Sequence, residues 1–406
     1  MPESFTGNKS FYILLISSAL WSLGIALSWL FLGLYIYDIS EDIFTVTLFN
    51  FLPQITWIIA SLIWGYFGDK FQLRKIPLII ASIGYGIFLI PFWTTQDTLF
   101  LLASYVLANF FGGAHIVSIN AYITLIRKKK AESVGLNVGA NAVGWTIGTF
   151  SSGYFLSLGM SPRYLFLAAA IFFILSGIVA MFLKEVKVSV ISRSMGIYEY
   201  LKLLKNRYIF ATVVSAFLQY TGLYIVLSIF VVYFVEGIGG SEVLYGISSA
   251  GASILGGIIA YIFGKLADKP EFGRAKIIMF SHIGYLLFIT ALIFTQDPII
   301  VAILWMLPLF AGIIVGAPAL ISDHTPEINR SKGMALFDAF QNLGIATGYF
   351  LSSVTAWFIT TTSIVEIMRT FLNIAIVFST AAIIIFLIGV SDLPVSYTHL
   401  TLPTKA

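Results

Sequence analysis

Residues 65–75 read GYFGDKFQLRK, which crowds Asp69, Lys70, Arg74 and Lys75 between two stretches almost free of ionisable groups. About half a chain later, residues 264–274 read GKLADKPEFGR, with the same Gly-x-x-x-Asp-Lys core. The surroundings of these two islands identify the solvent. Of 406 residues, 59% are hydrophobic and 10% charged, and the mean hydropathy is +0.95. A soluble domain carries about 45–50% apolar and about 25% charged residues. This chain cannot cover itself for water, so its solvent is lipid.

A bilayer core of about 30 Å takes about 20 apolar residues per helix. Such stretches lie near 11–37, 44–68, 76–95, 98–126, 134–160, 164–183, 208–235, 243–266, 275–295, 298–322, 333–361 and 370–390, twelve expected spans in an all-α membrane protein. The first, at about 27 residues, exceeds the roughly 7–15 of a signal-peptide core and is read as a span. With no cysteine, the chain has no disulfides or thiolate metal ligands.

Lys and Arg gather in cytoplasmic loops. With the N-terminus inside, all of the 23 basic residues except Arg163 and Arg369 fall in cytoplasmic segments. That alternation supports both the span count and cytoplasmic termini.

The repeat extends beyond the opening motif. Thr95-Gln96-Asp97 returns as Thr295-Gln296-Asp297, Ser82-Ile83-Gly84-Tyr85 as His282-Ile283-Gly284-Tyr285, and Phe110 and Gly112 as Phe310 and Gly312. GYFLS occurs at both 153–157 and 348–352. A shift of six spans preserves orientation, so residues 1–183 and 208–390 are expected to form parallel six-helix bundles with a solute site between them. Between them, residues 184–207 carry an apolar stripe of Ile197, Tyr200, Leu201 and Leu204, read as an interfacial helix, with a solvated basic linker as the alternative. Residues 391–406, ending VSYTHLTLPTKA, resemble a translated cloning adaptor; a disordered native tail is the alternative.

Two parallel halves, a basic central loop and the signature after the second and eighth spans make residues 11–390 resemble the major facilitator superfamily. The family pattern is G-x-x-x-D-[RK]-x-G-[RK]-[RK]. Gly65, Asp69, Lys70, Arg74 and Lys75 match it, but Gln72 or Leu73 stands where the second Gly belongs. The second copy keeps Gly264, Asp268 and Lys269 and delays Gly273 and Arg274 by two residues. Gly65 is expected to permit close helix approach, and an Asp at a helix end suits a neighbouring helix N-terminus. The resemblance implies that Asp69 and Asp268 hold a cytoplasmic gate shut, the first by pinning the second span to the eleventh, with Lys70, Arg74 and Arg274 as ionic neighbours.

Glycines 135, 139, 144, 148 and 153 on the fifth span, 246, 251 and 256 on the eighth, and 344 and 348 on the eleventh suggest close interfaces that slide between the halves. No Pro follows Gly148 in the fifth span, a departure from the family's antiporters.

Ionisable residues inside spans are functional candidates. His115 lies about 18 Å of helix from Arg127, near the midplane; it is either a proton carrier or a hydrogen-bonded structural residue. Asp338 lies about 7.5 Å inside the eleventh span, where it either joins the latch or couples protons. His282 is expected at the membrane interface. Candidate cavity contacts are Trp21, Ser22, Ser28 and Trp29, then Asn120, Gln219, Tyr220, Tyr224 and Trp305. With no basic residue in the membrane core, a strongly anionic substrate is disfavoured.

No Walker A, HExxH or GxSxG sequence is present. The expectation is a non-enzymatic, cofactor-free and monomeric transporter with a small-molecule substrate, protons and lipid as partners and no nucleic acid. Alternating access with proton-linked efflux of lipophilic or cationic compounds leads; uptake of a neutral solute such as a sugar, or a receptor on the same fold, are the alternatives.

Overall fold

The computed structural model describes residues 5–126, 130–185, 202–267, 269, 273–326, 330–359 and 363–391, without the side chains of 5–8, 120, 124, 130–132 and 331. Asp268, the stripe residues Ile197, Tyr200 and Leu201, the tail beyond 391 and the side chain of Asn120 lie outside this description.

Twelve long helical segments are present among the described residues. The first half holds α1 (Phe5–Trp29, resumed as Leu32–Ser40), α2 (Ile43–Lys70), α3 (Lys75–Leu89, resumed as Pro91–Thr94), α4 (Thr98–Ile126), α5 (Lys130–Ser157) and α6 (Arg163–Met181). The second holds α7 (Arg207–Leu227, resumed as Phe230–Val232 and a π turn Tyr233–Gly237), α8 (Glu242–Ala267), α9 (Gly273–Phe294), α10 (Pro298–Met306 and Ala311–Asp323), α11 (Arg330–Phe358) and α12 (Ile364–Val390). Ten of them are long and apolar enough to cross a membrane. The exceptions, α5 and α11, carry polar residues such as Asn137 and Asn141, and Asp338, Gln341 and Asn342.

The Thr-Gln-Asp repeats are helix starts. Asp97 accepts from the Phe100 N–H at 2.8 Å, and Asp297 from those of Ile299 and Ile300 at 2.8 and 3.1 Å, so both satisfy amides that a helix N-terminus leaves open.

In the first half α1 packs on α5 and α6, α2 and α3 pack on α4, and α3 packs on α6. Six helices later α7 packs on α11 and α12, α8 and α9 on α10, and α9 on α12. The halves meet chiefly through α5 against α8 and α2 against α11.

The repeat register is nevertheless not the one GYFLS suggests. A Cβ on Gly148 would stand 3.0 Å from the Leu23 carbonyl oxygen of α1, and one on Gly348 would stand 2.6 Å from that of Thr221 on α7. Gly144 and Gly344 make the matching approaches to Ala19 and Phe217. The equivalent pairs are therefore 144 with 344 and 148 with 348, a shift of 200, while the two GYFLS strings lie 195 apart. These four glycines also correct the expected sliding interface: they bind α5 and α11 to their own bundles. A Cβ on Gly135 or Gly139 would meet no described atom within 4 Å, and only Gly153 and Gly246 of the expected set meet across the halves.

A buried polar node joins the first, third and sixth helices of each bundle. In the first, Ser17 and Ser176 exchange hydroxyl-to-carbonyl bonds of 3.0 and 2.8 Å, with the Ser82 hydroxyl 3.5 Å from that of Ser176. In the second, the Gln219 amide donates to the Ser379 hydroxyl at 3.1 Å, and His282 Nδ1 lies 2.9 Å from Gln219 Oε1. Because Gln219 gives its amide hydrogen to Ser379, its oxygen accepts, which assigns the imidazole proton to Nδ1. His282 is fully buried inside α7, α9 and α12 and not at the interface, as its position near a helix end suggests.

Leu204 of the central stripe packs beside Leu203 onto the apolar cluster of the second half, within a short 3₁₀ turn, Lys202–Lys205.

Candidate functional site

The loop after α2 is closed by charge. Arg74 Nη2 pairs with Asp69 Oδ1 at 2.5 Å, and the carboxylate remains 70% exposed. Glu185, beyond α6, accepts the backbone N–H of Arg74 at 2.6 Å and of Lys75 at 3.0 Å, capping α3. Lys70 sits over Tyr66 and Phe71, 5.6 and 5.7 Å from their ring centroids. In the second half Arg274 pairs with Asp323 at the end of α10 and donates to the Ala319 carbonyl at 3.3 Å. Each cluster ties its loop to its own bundle; Lys269 is exposed.

The motif's glycine corrects a further expectation. A Cβ on Gly65 would make ordinary contact with Val117 at 3.7 Å, and one on Gly264 would meet Val315 at 3.8 Å, so neither is a close helix approach here. The tight position is Gly68, where a Cβ would stand 2.9 Å from the Arg74 guanidinium.

Gln72 occupies the family's second glycine position with φ 55°, in the left-handed region, and Gly273 adopts φ 66° in the second loop. A non-glycine residue in that region costs about 1–2 kcal/mol, partly offset by the greater chain entropy a glycine loses on folding. Gln72→Gly is therefore expected to raise stability by about 0.5–1 kcal/mol, read as a higher thermal midpoint in detergent; a lower midpoint would show that the Gln72 side chain itself holds the loop.

Between the bundles, contacts concentrate at the end opposite the basic loops. A Cβ on Gly153 would stand 2.9 Å from Gly246 Cα. Phe31 packs against Tyr245, Phe44 against Trp357 and Phe51 against Phe350, with ring centroids 5.7, 4.9 and 5.4 Å apart. Asn50 donates to the Ser228 carbonyl at 3.1 Å, satisfying an acceptor where α7 is interrupted. Towards the basic end the described ion pairs stay within each half, and Gly135 and Gly139 face open space. Among the described residues, the cleft between the bundles is open at the basic end and closed at the other.

Several sequence candidates neighbour one another on α1, α7 and α11. Asp338 is exposed on α11, while Tyr220 is buried in the core of the second bundle. Tyr220 stacks near Tyr224 at 6.2 Å, and Tyr224 meets Tyr349 edge-on at 5.2 Å. Trp29 lies 5.7 Å from Trp145 and near the Tyr349 hydroxyl. Tyr349 carried no sequence signal, because one Tyr among many aromatics looks like packing.

Other candidates are placed inside the bundles. Trp21 is stacked on His115 at 3.8 Å and 8°, with Phe173 at 4.8 Å. The His115 ring is buried, and its Nε2 has no hydrogen-bond partner among the described residues. Ser22 donates to the Asn141 carbonyl at 2.7 Å and Ser28 to the Gly24 carbonyl at 2.9 Å. Gln219 belongs to the buried node described above. Trp305 donates to the Ser249 hydroxyl at 3.0 Å beside Phe230. Among the described residues no group of three or more His, Asp or Glu is placed to hold a metal ion.

The family model described as Major Facilitator Superfamily matches residues 11–271 and 212–403. Solved structures share the fold at low identity. A bacterial homologue of the human lysosomal transporter Spinster, in an inward-facing and unoccupied conformation, is 12% identical with a TM-score of 0.77, covering 95% of this chain and 97% of that one. The nucleoside transporter NupG is 15% identical with a TM-score of 0.68, covering 93% and 99%. The D-xylose-proton symporter is 15% identical with a TM-score of 0.71, covering 93% and 96%. No curated protein matches the sequence significantly.

Proposed function

The chain belongs to the major facilitator superfamily and is a secondary transporter, and on that premise we propose that it performs proton-linked efflux of lipophilic or cationic compounds across a cell membrane. The observation that carries this reading is Asp338, a carboxylate exposed on α11, the helix that meets α2 of the other half and that also carries Tyr349 of the aromatic series Tyr220, Tyr224, Tyr349 and Trp29. A carboxylate holds either a proton or a cationic solute, and competition between them is the simplest exchange. Aromatic faces favour cations and flat apolar groups.

With the basic loops cytoplasmic, both termini lie inside and the cleft opens inward. Asp69 then trades its Arg74 partner for α11 when the cleft closes on that side; Asp268 takes the corresponding role in the other half.

The test uses proteoliposomes with a trapped pH dye, challenged with lipophilic cations and with neutral sugars. Proton flux driven by the cations supports the proposal. Flux driven only by sugars would replace it with uptake of a neutral solute, and silence with saturable binding would favour a receptor.

His115, stacked on Trp21 and with no charged partner among the described residues, is given a structural role in this reading. His115→Gln is expected to leave the pH dependence of transport unchanged; loss of that dependence would make His115 the proton carrier.

A further inference from the structure

The outward faces of these helices meet hydrocarbon, which offers no hydrogen bonds. α6 behaves accordingly: its outward residues Ile171, Leu175 and Ile178 are exposed and apolar. α12 holds the matching place in the second half, packed on α7 and α9 with Phe371, Ala375 and Ser379 buried. Its outward face is different. Asn373, Val377 and Thr380 follow one another along it, all exposed. Thr370, nearer the helix start, gives its hydroxyl to the Glu366 carbonyl at 3.0 Å. Asn373 and Thr380 make no hydrogen bond among the described residues.

Depth makes this costly. α12 runs from Ile364 to Val390, with Val377 at its midpoint. By helix rise Asn373 lies about 6 Å from that midpoint, and Thr380 about 4.5 Å from it on the other side. Both fall inside a hydrocarbon core of about 30 Å. An unpaired amide there has neither water nor lipid to bond, so polar side chains at such depth almost always face protein. Asn373 faces outward. A partner with polar groups at the same depth must cover it.

The chemistry of the face selects the partner. Two copies of one chain share an orientation in the bilayer, so a two-fold axis along the membrane normal sets equal depths opposite each other. Asn carries two donors and an acceptor and can satisfy its own copy across that axis. Asn373 and Thr380 are seven residues apart, the repeat that keeps one seam facing a partner along a helix pair. Near the helix start Glu366 and Arg369 are exposed about one turn apart with opposite charges, so each copy's Glu366 faces the other's Arg369. A different protein would need the same groups at the same depths; a second copy has them already.

We infer that the outward face of α12 is the seam of a parallel homodimer, joined by an Asn373 pair near its centre and crossed Glu366–Arg369 pairs at its start. A pair departs from the monomer expected from the sequence. The seam lies apart from the cleft, which opens between α5 and α8 and between α2 and α11, so it does not depend on the substrate.

The chain has no cysteine, so one placed at Val377→Cys, between the two polar residues, reports the seam. In the full chain reconstituted in vesicles, oxidation should link Val377→Cys into dimers and leave Leu175→Cys of α6 monomeric. Fluorescence subunit counting over a range of protein-to-lipid ratios should show association weakened roughly tenfold in Asn373→Leu, the scale of an interhelical hydrogen bond. Asn373→Gln should retain it. The thermal midpoint in detergent should not fall in Asn373→Leu, since Asn373 bonds nothing within its own fold. Glu366→Arg should weaken association, and adding Arg369→Glu should restore it. Monomers at every ratio would overturn the inference; a link from Val377→Cys to another protein in cell membranes would then make that protein's span the partner. Association as strong in Asn373→Leu as in the native chain, or cross-linking at Leu175→Cys as fast as at Val377→Cys, would overturn it equally.

Discussion

Gly246→Leu is expected to cut transport roughly a hundredfold and to leave the protein folded with its cleft open at the wrong end. Gly246 of α8 and Gly153 of α5 are in backbone contact across the halves, at the end where the cleft is shut; a Cβ on Gly246 would stand 2.8 Å from the Thr149 carbonyl oxygen and 2.9 Å from Gly153 Cα. Forcing bulk into such a contact costs typically 1–3 kcal/mol, occasionally more. The cost falls on one state of the cycle, since separating these helices removes it. A shift of about 3 kcal/mol changes the population ratio by roughly a hundredfold. The chain contains no cysteine, so spin labels can be placed without removing native thiols. With labels at Tyr66→Cys and Lys332→Cys, the Leu variant should bring the basic ends of α2 and α11 together. With labels at Ser40→Cys and Ser241→Cys, the opposite ends should move apart. Gly246→Ala should give a smaller change in the same direction. Unaltered distances with full transport would show that this contact does not govern the cycle.

Asp338→Asn is expected to lower the apparent affinity for a lipophilic cation by roughly ten- to a hundredfold, the range of a hydrogen bond or ion pair to a charged group. The sign with pH follows from competition. In the native chain, cation binding strengthens as pH rises, because deprotonation of Asp338 creates the negative charge. In the Asn variant that charge is absent at every pH, so this component of the pH dependence disappears. Asp338→Glu keeps the charge and should restore part of it. A titration of cation binding against pH, native beside variant, measures both effects. If Asp338→Asn binds the cation as tightly as the native chain with the same pH profile, Asp338 is a structural residue of α11 and the exchange reading loses its support.

How far the residues alone reach depends on the kind of interaction. The hydrophobic runs announce themselves because each span must satisfy lipid along its own length. The loop charges mark one end because their energetic cost in hydrocarbon is local. Thr95-Gln96-Asp97 and Thr295-Gln296-Asp297 carry their helix-starting role within a few residues. GYFLS misleads for the complementary reason: identical letters do not guarantee identical neighbours, and the equivalence of Gly148 with Gly348 appears only when each is seen against its own partner helix. His282 illustrates the same limit, since its burial is set by Gln219 and Ser379 on two other spans.

From sequence alone came the lipid solvent, the two-fold repeat of spans, the end that bears the basic loops and the family resemblance carried by the residues from Gly65 to Lys75. Each rests on interactions within a helix or between a segment and its solvent. The tertiary structure decided which end of the cleft is shut, which glycines bind within a bundle and which bridge the halves, that Asp69 is held by Arg74, and that Asp338 is exposed while Trp21, Gln219 and Tyr220 are buried within their bundles. Those are contacts between residues tens to hundreds of positions apart, and a periodic apolar pattern is compatible with many ways of pairing them. Packing selects one.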